Sequence, residues 1–118
     1  HLHKTGALLQ ASVLSGALIA GADEKLLQAL RTYSRAIGLA FQIIDDILDV
    51  TASSEVLGKT AGKDLTADKT TYPKLLGLEE SKARAEALVQ EACGVLKPWS
   101  EKAQPLLALA GYITSRDR

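Results

Sequence analysis

Phe41-Gln42-Ile43-Ile44-Asp45-Asp46-Ile47-Leu48-Asp49-Val50 sets three carboxylates in the middle of some of the most apolar sequence of the chain. At roughly 100° per residue, Gly38, Gln42, Asp45 and Asp49 fall on one narrow stripe of a helix, with Asp46 at its edge. Ile37, Ala40, Phe41, Ile43, Ile44, Ile47 and Leu48 cover the rest of the surface. A helix facing water on one side carries a broad polar face, so this one is expected to be buried nearly all round. Two or three aspartates in one crowded, desolvated place need either protons or cations. Mg²⁺ is the natural partner, since it is held by one or two carboxylates together with waters and phosphate oxygens. The stretch therefore predicts a helix wall that presents metal to a phosphorylated ligand. The plainer alternative is a partly solvated polar helix end, because short acidic motifs often mean nothing more.

The rest of the sequence narrows the class. The 118 residues make one domain at most, and the 14 basic residues balance the 14 acidic ones, so charge gives no indication of nucleic acid. A single cysteine, Cys93, excludes an internal disulfide and fits a reducing compartment. Aromatic residues are few, while Ala and Leu dominate, which favours helices over strands. No run of eighteen apolar residues is present, so no transmembrane helix is expected, and no secretory signal is visible. The sequence contains no Met, and His1 enters directly into a helical pattern. Both features predict a fragment of a longer protein.

In chain order, His1 to about Ala20 reads as a first helix ended by Gly21. From Thr5 to Ala20 it carries no charge and is ringed by small residues, so it calls for close neighbours on most sides. Lys4 at its start is either a surface lysine or a cation facing a ligand cavity. Asp23 is placed to cap a second helix, about Glu24 to Val50, whose second half holds the acidic stripe. Thr51 to Thr71 reads as the longest irregular segment. Its glycines permit tight turns, and Lys59, Lys63 and Lys69 can bring point charges to phosphate oxygens. Directly after an acidic helix end, it has the composition of a lid. It is not a Walker A loop, because Asp64 follows Lys63, and no GxGxxG occurs. Pro73 then suits the first turn of a short helix to about Leu76, stopped near Gly77. An amphipathic outer helix follows from Leu78 to about Leu96, with Ala85, Leu88, Ala92 and Val95 inward. Lys97-Pro98-Trp99 breaks it, and a last helix runs from Pro105 to about Ser115.

The order Lys4-Thr5-Gly6, then FQxxDDxLD from Phe41, GKxxGKDL from Gly58, DKTTYP from Asp68 and LAxYIxxRD near the end resembles the trans-isoprenyl diphosphate synthases (the polyprenyl synthetase family). Within them the chain looks most like the short-chain type that includes geranylgeranyl and farnesyl diphosphate synthases. The resemblance runs over essentially all 118 residues and looks like the second half of such an enzyme. It implies an all-α fold, with residues 1–118 forming the C-terminal half of a helical bundle of the isoprenoid synthase type. It implies Mg²⁺ held through Asp45, Asp46 and Asp49, with Asp64 supporting the same metal. Lys4, Lys59 and Lys69 match lysines that neutralise the diphosphate. Thr5 and Gln42 match polar groups beside the allylic carbon where positive charge develops, and Phe41 matches an aromatic on the homoallylic side.

The resemblance further implies a homodimer acting on an allylic diphosphate and isopentenyl diphosphate, in the cytoplasm or, in a photosynthetic eukaryote, the plastid stroma. GKTAGKDL and KTTYPKLLGLE resemble plant-type and cyanobacterial geranylgeranyl enzymes. The family's first aspartate-rich motif and its paired arginines are absent from these residues, so the segment alone is expected to be inactive. Farnesyl diphosphate synthase is the alternative product class, and a non-catalytic subunit of a heteromeric prenyl synthase is the alternative role. A class I terpene cyclase also uses DDxxD, but with aromatic-rich walls. A membrane-embedded prenyltransferase needs spans that this sequence lacks. The chemistry requires no Ser/His/Asp or Cys/His nucleophile, and none is arranged here.

Overall fold

The fold is built on one long helix. A computed structural model describes residues 2–60 and 72–115, with side chains described for 6–51, 73–113 and 115. All regular structure among these residues is helical: α1 (Leu2–Ile19), α2 (Glu24–Thr60), α3 (Tyr72–Leu76), α4 (Leu78–Val95), a 3₁₀ turn (Lys97–Trp99) and α5 (Gln104–Ser115). The all-α expectation is met. At about 1.5 Å per residue, the 37 residues of α2 span roughly 55 Å. That matches the long dimension of the structure, 53 × 22 × 22 Å. Its radius of gyration of 16.3 Å exceeds the roughly 13 Å expected of a compact domain of this size.

The junction between α1 and α2 is set by local chemistry. Gly21 adopts a left-handed φ of 80°, where a Cβ would be strained. Its N–H donates to the Leu18 carbonyl and that of Ala22 to the Ala17 carbonyl, the two bonds of a Schellman end. Two residues later the Asp23 carboxylate accepts the Leu26 N–H at 2.9 Å and caps α2, as expected from its position. The chain reverses within four residues, so α1 runs antiparallel to α2.

The main core runs along α2, with Leu9, Val13, Leu14 and Ala17 of α1 packed against it. Leu30, Tyr33, Ala36, Ile37 and Ala40 of α2 meet Val89 and Ala92 of α4, then Leu96, Ala103, and Ala110 and Ile113 of α5. A second cluster continues it along α2 through Ile43, Ile47 and Ala85. The order of these contacts makes α4 antiparallel to α2, and the alanines at the seam let the two backbones approach closely. α4 turns Ser81, Ala85, Val89 and Ala92 inward, while Glu80, Lys82, Arg84, Glu86 and Glu91 are exposed, as expected of an outer helix. Tyr33, fully buried, donates its hydroxyl to the Leu106 carbonyl at 2.8 Å and ties α5 to α2.

Two expectations need correction. The irregular segment expected from Thr51 begins later, because α2 continues to Thr60. Thr51 to Leu57 contains no Gly or Pro, and the Thr51 hydroxyl donates to the Ile47 carbonyl one turn back, which a helix accommodates. The acidic half of α2 is not buried all round: Ile37, Ala40, Ile43 and Ile47 are, but Phe41, Ile44 and Leu48 are half-buried. Partner helices lie on two sides of α2 and leave its flanks open. α1 is likewise covered on one face only, with Leu8 70%, Leu18 63% and Ile19 88% exposed.

Candidate active site

The acidic stripe meets α1 at a glycine contact. A Cβ built on Gly38 lies 3.3 Å from Gly6 Cα and 3.8 Å from Leu9 Cδ2, so only glycine at position 38 allows this spacing without displacement. Sequence reasoning put Gly38 on the stripe without giving it a task; an isolated glycine inside an apolar helix was the available signal. Gly38 is buried, and the antiparallel pairing runs the first turn of α1 alongside the α2 residues that lead up to Gln42. The backbone of Lys4 and Thr5 therefore stands beside the start of the Gln42–Asp49 stripe, although the two are far apart in sequence.

Beyond that point α1 no longer covers the stripe, and exposure rises along it. Gln42 and Asp45 are half-buried and Asp49 is exposed. Phe41 flanks the stripe on one side, half-buried and packed against the main core. Asp46 flanks the other and is the most buried of the three carboxylates, at 7% exposure. The Gln42 amide donates from Nε2 to Asp46 Oδ1 at 3.1 Å. This pair was not foreseen, although its four-residue spacing is the one at which helix side chains meet.

Lys59 belongs to the last turn of α2. Asp64 and Lys69, with the greater part of the segment expected to act as a lid, lie outside the described residues.

The donor set can be tested against a metal. Among the described residues no three of His, Cys, Asp or Glu converge on one point, so these side chains form no all-protein cage. Asp45 and Asp49, one turn apart on one stripe, offer hard oxygen donors from an accessible face. That suits Mg²⁺, which takes few carboxylates and completes its shell with phosphate and water oxygens. Soft-metal chemistry has no foothold, since thiolate and imidazole are missing from the stripe. No helix among the described residues is long and apolar enough to cross a membrane.

A family model described as polyprenyl synthetase matches residues 1–107. The geranylgeranyl pyrophosphate synthase (chloroplastic) of Catharanthus roseus is 58% identical over 118 residues, covering 99% of this chain and 33% of that protein. The large subunit 1 of a heterodimeric geranylgeranyl pyrophosphate synthase (chloroplastic) of Arabidopsis thaliana is 57% identical over 117 residues, covering 98% of this chain and 32% of that one. Among solved structures, a candidate farnesyl-diphosphate synthase from Marinomonas sp. MED121 superposes with a TM-score of 0.78 at 43% identity, covering 97% of this chain and 37% of that chain. The chain spans about a third of the length of the curated relatives it matches.

Proposed function

This chain belongs to the polyprenyl synthetase family, and from that premise we propose that it forms the C-terminal part of a single helical domain of a trans-prenyltransferase. The enzyme condenses isopentenyl diphosphate with dimethylallyl, geranyl or farnesyl diphosphate, and its product is geranylgeranyl diphosphate. The observation that carries the proposal is the Gly6–Gly38 contact. It supports the proposal because, with α1 antiparallel to α2, the backbone of Lys4 and Thr5 runs alongside the α2 residues that lead up to Gln42. The apolar flanks of α1 and α2 that this chain leaves open support placing it within a larger helical domain.

The chain's residues divide the work by chemistry. Asp45 would hold Mg²⁺ from the accessible stripe, with Asp49 one turn further on, and Asp64 would join the set on the strength of the resemblance. When bound, the metal supplies positive charge to the diphosphate as negative charge builds on the leaving group. Lys4, Lys59 and Lys69 add cationic charge to the same oxygens, which favours the transition state over the neutral ground state of the C–O bond. That bond breaks heterolytically, its electron pair leaving with pyrophosphate and a positive charge remaining on the allylic carbon. On the strength of the resemblance, Thr5 and Gln42 are the polar groups beside that charge. Apolar walls that include Phe41 keep water from capturing the cation. The double bond of isopentenyl diphosphate then forms the new C–C bond, and a proton is lost to pyrophosphate. The protein acts as a homodimer in the cytoplasm or the plastid stroma.

The test is incubation of the full-length protein with isopentenyl diphosphate, Mg²⁺ and each allylic diphosphate in turn, with products identified by mass spectrometry. Geranylgeranyl diphosphate is the expected main product. Release of farnesyl diphosphate alone would move the protein to the shorter product class. No product from any substrate would reassign it as a non-catalytic subunit of a prenyl synthase.

A further inference from the structure

The three carboxylates of the DDxxD stretch differ in burial, and Asp46 accepts a hydrogen bond from a side chain of the same helix. Asp46 is 7% exposed and accepts the Gln42 amide at 3.1 Å, whereas Asp45 is half-buried and Asp49 exposed. We propose that Asp46 is not a metal ligand but a positioning residue that sets the orientation of the Gln42 amide beside the allylic carbon. The inference rests on the prenyl-transfer reading of this site.

A glutamine side chain presents an acceptor oxygen and a donor NH₂ group of nearly identical shape, so its orientation is decided by what it meets. A carboxylate accepts hydrogen bonds and does not donate them. Asp46, one helical turn after Gln42 and on the same rigid helix, therefore holds the NH₂ group. Oε1, the negative end of the amide dipole, is then left for the other side. Stabilising a developing positive charge requires that end, fixed before the reaction begins. Without Asp46 the amide can turn over and aim N–H groups at the same point, where they repel a cation. The helical geometry agrees: at about 100° per residue Asp45 and Asp49 lie roughly 40° apart, while Asp46 stands on the far side of Gln42 from both. A ligand shared by Asp45 and Asp49 lies on the opposite side of the stripe from the Asp46 carboxylate.

The experiment is a mutant cycle in the full-length enzyme, with Asp46→Ala, Asp46→Asn, Gln42→Ala, the double variant Asp46→Ala/Gln42→Ala, and Asp45→Asn for comparison. Three quantities are read: kcat and KM for the allylic diphosphate, the Mg²⁺ concentration giving half-maximal rate, and Mn²⁺ binding in the presence of inorganic pyrophosphate, titrated by electron paramagnetic resonance. Asp46→Ala should lower kcat about ten- to a hundredfold while Mn²⁺ affinity stays at the wild-type value. Asp46→Asn, whose Oδ1 still accepts from Gln42, should recover at least about tenfold of that loss. In the Gln42→Ala background, Asp46→Ala should cost nothing further, since a residue acting through another has no effect once the other is gone. Should Asp46→Ala fail to melt cooperatively, Asp46→Asn and its metal titration decide alone. The proposal is overturned if Asp46→Asn weakens Mn²⁺ binding as much as Asp45→Asn does, or if the Asp46 and Gln42 losses multiply. Failure of the site reading itself has a different signature: wild-type enzyme that binds no Mn²⁺ with pyrophosphate, or forms no prenyl product.

Discussion

Gly38→Ala and Gly6→Ala alter the same helix crossing but should move stability in opposite directions. The new methyl at position 38 would sit 3.3 Å from Gly6 Cα, a backbone atom that cannot swing aside, and 3.8 Å from Leu9 Cδ2. Carbon atoms pack comfortably at about 3.5–4.0 Å, so α1 must retreat by a few tenths of an ångström along the contact. Overpacking of this kind costs about 1–3 kcal/mol. Alanine returns about 1 kcal/mol of helix propensity, leaving a net loss of about 0–2 kcal/mol. Among the described residues a Cβ on Gly6 meets nothing within 4 Å. There the propensity gain stands unopposed, and Gly6→Ala should be stabilising by up to about 1 kcal/mol. Urea unfolding of both variants measures the contrast, expected to be about 1–3 kcal/mol between two chemically identical substitutions. In Gly38→Ala the displaced first turn of α1 should also lower kcat/KM for the allylic diphosphate. Equal stability changes at the two positions, in either direction, would refute the crossing geometry and the closeness of the two motifs with it.

The other predictions concern charge, burial and completeness. Asp45→Ala in the full-length enzyme should lower kcat by about a hundredfold or more, measured in a single-turnover prenyl-transfer assay; a loss below threefold would count against a metal-holding role. Burial, with a smaller contribution from Cys93, pushes the Tyr33 hydroxyl up to about 12 from 10.0. Because the folded value is the higher one, the contribution of Tyr33 to stability is intact below pH 10 and is lost as pH rises toward 12. Tyr33→Phe should cost about 1 kcal/mol at neutral pH, and the gap to wild type should close across that alkaline window in pH-dependent denaturation. Ser81 is fully buried on α4, and its hydroxyl finds no hydrogen-bond partner among the described residues. Ser81→Ala should therefore raise stability by about 1 kcal/mol in chemical denaturation, and a comparable loss would reveal a partner for that hydroxyl. Residues 1–118 expressed alone, with Leu8, Leu18 and Ile19 exposed, should aggregate and show no Mg²⁺-dependent binding of geranyl diphosphate by calorimetry. A cooperative melt with tight metal-dependent binding would mean that the segment is a complete module.

Local signals in the chain are strong enough to be read without a partner. Gly21 could only mark a helix end, because its left-handed backbone is closed to other residues at little cost, and Asp23 could cap α2 from three residues away. The inward alanines of α4 and its charged outer side follow from helical periodicity. So does the grouping of Gln42, Asp45 and Asp49 on one stripe, which needs only 3.6 residues per turn. The all-α class and the family followed from motifs in a fixed order. The sequence misjudged how far α2 runs past Val50, where no Gly or Pro interrupts it before Gly58, and how much of its acidic half is covered, which is set by neighbours.

Only the tertiary structure decided which side chains meet. That Gly38 rests on Gly6 depends on the angle and separation at which α1 returns along α2, and these arise from the whole packed surface rather than from either residue. The division among the three aspartates is of the same kind. Asp45, Asp46 and Asp49 are one residue type at neighbouring positions, and by periodicity alone Asp46 sits at the edge of the stripe. Burial at 7% and the bond from Gln42 make it the most enclosed of the three. Burial depends on what other segments lay against a helix, and pairing depends on which rotamers that cover permits. Periodicity orders residues around one axis, and the distance between two axes is fixed only once both helices are packed.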